Sequence, residues 1–137
     1  MKKKAAQHGD LVAVPVGDCW AIGRVVFVSQ YFKEIMQVEF RGAFEDPSAD
    51  WYAGKKLCTL YTAASKFEKR GWKVVGSGCI EADDFERTLR LVASEVWKGD
   101  QVVRSVEPND RGRIPMMNVD GFIRVERVLQ KSISDQK

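Results

Sequence analysis

The segment Gly9–Val28, GDLVAVPVGDCWAIGRVVFV, places the tightest limit on the fold. Two runs rich in β-branched residues flank a Gly17-Asp18 pair, so the chain must extend, turn sharply and return. In the first run Leu11, Ala13 and Pro15 share one face, and Val12, Val14 and Val16 share the other. Both faces are apolar, which fits a strand covered on two sides or at a barrel seam. Pro15 offers no amide proton to a ladder, which places it at an edge, a bulge or a strand end. The second run, Trp20–Val28, contains Gly23, a residue type that marks bulges and close backbone crossings.

A third run, Ile35–Phe40, alternates Met36, Val38 and Phe40 with Gln37 and Glu39, the pattern of a strand with one wet face. Three such strands joined locally predict an antiparallel meander. With one strand bulged or kinked at glycine, the expectation is a strongly curved antiparallel sheet or an incomplete small barrel. Residues 45–54 read as a loop or short helix capped by Asp46-Pro47-Ser48, and 57–61 as a strand. Residues 63–69 suggest a short helix ended by Gly71, and 72–75 a short strand. Beyond a charged, exposed block at 81–87, residues 89–93 fit strand or helix, 101–106 a strand, and 113–117 an extended segment before and after Pro115. Phe122–Lys131 reads as a strand edge running into a terminal helix, with Val125, Val128, Leu129 and Ser132 on one stripe. The predicted class is α+β, mainly β. Its domain spans 9–131, between a flexible basic stretch at 1–8 and a frayed end at 132–137.

With 137 residues, 45% hydrophobic and 30% charged, the chain has the balance of one soluble globular domain. No apolar run is long enough to cross a membrane, and the basic start lacks the apolar segment of a signal peptide, so a cytoplasmic location is expected. Three of the 22 basic residues are Lys2, Lys3 and Lys4, which leaves 19 against 19 acidic ones. A neutral body argues against nucleic acid as the main partner.

Chemistry-bearing motifs are few. Cys19, Cys58 and Cys79 form no CxxC, and His8 is the single histidine, so neither a disulfide framework nor a zinc knuckle is expected. Gly76-Ser77-Gly78 lacks phosphate-loop spacing. No catalytic residue, cofactor site or metal site is assigned. Glu81, Asp83 and Asp84 form the densest acidic group and, with Glu45 and Asp46, are the candidate contacts to a partner. Trp20, Gly23 and Trp72 are assigned to the structural core. Lys66, Lys69, Arg70 and Lys73 beside Phe67 and Trp72 support an alternative: a small β-rich nucleic-acid-binding or adaptor module.

Gly9–Val16 followed by Ala21-Ile22-Gly23-Arg24-Val25 resembles the opening signature of the immunity protein 26 family, GDxxAIPLxDGxYAxGRVL. Tyr61-Thr62-Ala63-Ala64 and Gly71-Trp72-Lys73-Val74-Val75-Gly76 resemble its second signature, and Phe122–Leu129 is similar to its terminal helix. Cys19-Trp20 departs from the usual Gly-x-Tyr, and 44–56 has no counterpart. The resemblance implies a non-enzymatic immunity protein of a bacterial polymorphic toxin system, which binds and neutralises a cognate protein toxin.

Overall fold

Residues 5–136 are described by a computed structural model. Strands β1 (Leu11–Val16) and β2 (Cys19–Ser29) form the hairpin demanded by Gly17-Asp18, with Gly17 at φ 58°, where a side chain is disfavoured. β3 (Ile35–Phe44) pairs with β2, and β4 (Lys55–Ala63) pairs with β3, all antiparallel. β5 (Lys73–Gly76) crosses back to the far side of β1, giving the order β4-β3-β2-β1-β5. β6 (Arg90–Val92), β7 (Glu95–Lys98) and β8 (Gln101–Ser105) form a second antiparallel sheet. The chain closes with α1 (Phe122–Ser134).

This α+β architecture corrects the expected curved sheet or incomplete barrel. Both sheets are open and uncurled: β4 and β5 sit at opposite edges of the large sheet, and the later strands pair among themselves instead of closing it. Gly23 does not bend β2 into a barrel. It makes room: a Cβ there would lie 2.2 Å from Val38 Cγ1 and 2.8 Å from Phe40 Cε1. The missing side chain is spent on close packing against β3.

The main core lies between one face of the large sheet and α1. Val12, Val14, Val25, Met36, Val38 and Phe40 meet Val125, Leu129 and Ile133, which recur every fourth residue along α1. Burial of each such side chain stabilises the fold by about 1.5–3 kcal/mol. Phe122 is already helical, so the expected strand edge is absent; extended Gly121 caps the helix directly, and the helix runs past residue 131. The helix expected at 63–69 shrinks to a single 3-10 turn at Glu68–Arg70. Leu91 N donates to Pro115 O and Met117 N to Leu91 O, so residues 115–117 run beside β6, while Arg113, expected to be extended, lies in a turn.

Trp72 is buried and stacks on buried Phe67 at 5.7 Å, while its indole N–H donates to Glu126 Oε2 at 2.8 Å. Neither ring is free to stack on a base, and Arg70 is paired with Glu126. Gly23 is buried, and Trp20 is half-buried under Lys73. Ala6 is also buried and donates its amide to Ala64 O, so the packed chain reaches back beyond Gly9. The basic residues Lys2–Lys4 lie outside the described residues, as does Lys137. Among the described residues, no helix is long and apolar enough to cross a membrane.

Candidate functional site: a loop anchored on a buried arginine

Arg24 follows Gly23 in β2 and therefore points to the face opposite α1. A lone charged residue inside the β-branched run IGRVVFV must find partners or pay a large desolvation cost. It finds them in the 79–87 segment. The Arg24 side chain is fully buried, and its guanidinium binds Asp84 through two parallel hydrogen bonds of 2.8 Å. Arg24 Nη1 also donates to Cys79 O (3.1 Å), and Nη2 to Glu81 Oε2 (3.1 Å). Glu39 from β3 stands 3.6 Å from Nη2.

Asp84 is itself buried and accepts more. Glu81 N donates to its Oδ2 at 3.0 Å, and His8 Nε2 lies 2.8 Å from the same oxygen. Burial by itself would raise the Asp84 pKa. The hydrogen bonds from Arg24, His8 and the Glu81 amide outweigh it and hold the carboxyl at about 2. The Arg24 pKa is raised: burial opposes the charge, and the Asp84 contacts overcome that opposition. Arg87 completes the network, with Nη1 2.8 Å from Glu81 and 3.2 Å from Glu39, and Nη2 3.3 Å from Asp83. Two guanidinium groups thus face four carboxylates, so the network itself carries a net negative charge.

The anchoring fixes what the loop presents. Cys79 N donates to Gly9 O, and a Cβ at Gly9 would meet the Ile80 side chain at 2.8 Å. At the other end Thr88 Oγ1 donates to Phe85 O and accepts from Gly99 N. The Phe85 ring edge lies over Gly99, where a Cβ would come within 2.7 Å, and Lys98 Nζ stands 5.3 Å from the ring centroid. Between these ties Ile80, Asp83 and Phe85 project outward, each more than half exposed.

The expected acidic group therefore divides. Asp84 is the buried anchor, Glu81 is partly buried on Arg24 and Arg87, and Asp83 faces outward. Oxygens of these three carboxylates lie within 4.8 Å of one another, a spacing a metal ion could use, but guanidinium groups already face them, Arg24 on Asp84 and Glu81 and Arg87 on Glu81 and Asp83. Glu45 and Asp46 are exposed on a separate loop. There Asp46 Oδ1 accepts the Ser48 amide and hydroxyl at 2.8 and 2.7 Å, bonds that lower its pKa. Among the described residues, no hydrogen bond or ion pair joins Glu45 or Asp46 to the 81–84 group. Sequence reasoning missed Arg24, Arg87, Glu39 and His8 as members of one network. The available signal was Arg24 itself, a cation with no local partner in an apolar strand.

No family model, curated protein or solved structure matches the chain. The immunity-protein and toxin-inhibitor readings thus have no support from known proteins, and the resemblance to the immunity protein 26 family rests on the quoted residues alone.

Proposed function

We propose that this chain is a non-enzymatic binding protein that neutralises a cognate protein toxin, with the 80–85 loop as its recognition surface. The observation that carries the reading is the anchored loop. Two exposed apolar side chains, Ile80 and Phe85, flank exposed Asp83, and the buried Arg24–Asp84 pair holds the segment in place. A loop already ordered in the free protein loses little entropy on binding, and apolar anchors within an acidic rim suit a basic partner with an apolar pocket.

The test is capture of partners from the source organism in high salt, followed by a toxicity assay of the captured protein with and without this chain. The expected result is one retained protein whose toxicity the wild-type chain suppresses and a D83K/F85S variant does not. Suppression that survives both substitutions removes the loop from the interface. Retention of nucleic acid in place of protein overturns the reading in favour of the nucleic-acid module.

A further inference from the structure

A second feature lies where β3 meets the edge strand β4. Arg41 and Lys56 are direct cross-strand partners, two cations side by side, an arrangement that repels unless an anion joins it. Phe40 pairs with Cys58 and Arg41 with Lys56, so Leu57 is an extra residue bulged out of the ladder. The bulge brings Lys56 and Thr59, three residues apart, to one face, opposite Arg41 and Glu39. These four residues line a cleft of about 180 Å³. Lys56 and Thr59 are exposed, and Arg41 is half-buried. The Arg41 guanidinium is held in place over the Trp51 ring, 4.0 Å from its centroid, while Nη1 donates to Tyr52 O at 3.2 Å. Its Nη2 is neither sealed from solvent nor hydrogen-bonded among the described residues.

We propose that this cleft binds a phosphate group, either as the free ion or as the head of a small phosphate ester. The charge follows from the lining. Arg41 and Lys56 form no ion pair among the described residues. Glu39 is the one carboxylate that lines the cleft, and both its oxygens are taken by Arg87 Nη1 at 3.2 Å. Two cations against one engaged carboxylate leave the cleft positive. The double charge follows from the two strands. A dianion matches both cations, and its tetrahedral oxygens reach both strands at once, whereas a single carboxylate seated on Arg41 leaves Lys56 uncompensated. Arg41 offers a fixed N–H donor, Lys56 an ammonium on a long stem, and Thr59 a hydroxyl. A volume of about 180 Å³ holds the head group and leaves space for a small substituent. The cleft takes no residue from the 80–85 loop, so the inference does not depend on the partner reading.

The experiment titrates the ¹⁵N-labelled full chain by NMR with inorganic phosphate, phenyl phosphate and acetate, at an ionic strength held constant with chloride. Saturable shifts are expected at the Arg41 side-chain Nε–H and at the Lys56 and Thr59 amides with at least one of the two phosphates. Tighter binding of phenyl phosphate assigns the cleft to an ester, and tighter binding of inorganic phosphate assigns it to the free ion. Acetate should bind about tenfold more weakly, the factor expected for one lost charge-assisted hydrogen bond. K56Q removes an exposed charge and should fold, and it is expected to weaken phosphate binding by a similar factor. Three results would each overturn the site: no saturable shift with either phosphate, acetate binding as tightly as phosphate, or unchanged phosphate binding by a folded K56Q protein.

Discussion

Arg24 and Asp84, sixty residues apart in the chain, form a buried bidentate pair with both hydrogen bonds at 2.8 Å. It joins the central strand β2 to a segment that has no sheet of its own, so the position of the recognition loop depends on it.

Breaking one side of this pair is expected to be severe. D84A leaves the guanidinium buried without its main counter-charge, a change that costs about 3–5 kcal/mol. The R24M/D84L double variant should recover part of that loss, because an apolar replacement leaves no orphaned charge. Urea unfolding of the three proteins measures this. A D84A protein within error of wild type would show that the pair does not anchor the loop.

Acid should weaken the fold in a defined window. Asp84 is held at about 2 against an ordinary 3.8. Asp110 is also held at about 2, chiefly by its hydrogen bonds from Arg104 and from the Glu107 amide. A depressed carboxyl pKa means that the unfolded chain binds more protons as the pH drops. The stabilisation is therefore complete above the ordinary carboxyl range and is lost as the pH falls through about 4 toward 2. Urea midpoints measured across that range should fall for wild type and fall less steeply for D84N. Parallel curves for the two proteins would remove Asp84 as a cause.

Gly23 is predicted to reject even one methyl group. Its Cβ would overlap Val38 and Phe40 side chains in the packed interior, so G23A should lose about 1–3 kcal/mol through overpacking. Thermal unfolding by circular dichroism reads the change directly, and an unchanged midpoint would mean that β3 yields freely at this point.

Tyr61 should behave in the opposite way. Its hydroxyl is buried without a partner, so Y61F is expected to hold or raise stability, by about 1 kcal/mol at most. A clear drop in the unfolding midpoint would reveal a hydrogen bond to that hydroxyl.

Much of the local structure was legible along the chain. The β1–β2 hairpin followed from Gly17-Asp18 between two β-branched runs, and the β3 alternation placed Met36, Val38 and Phe40 in the core. These are short-range facts, because turn chemistry and side-chain period act within a few residues. The same alternation was less informative about the other face of β3. Gln37 reads as solvent-facing, yet it is buried beneath the 79–90 segment. Whether a polar face meets water or another part of the chain is decided by what docks on it.

The sequence by itself determined the strand periods, the sharp turns and the apolar stripe of the last helix, all properties of neighbouring residues. Tertiary structure alone decided that β5 returns beside β1 and leaves the sheet open, and that Asp84 turns inward while Asp83 turns out. Adjacent carboxylates look alike in sequence. They separate because one buried guanidinium, sixty residues away, has room for a single bidentate partner.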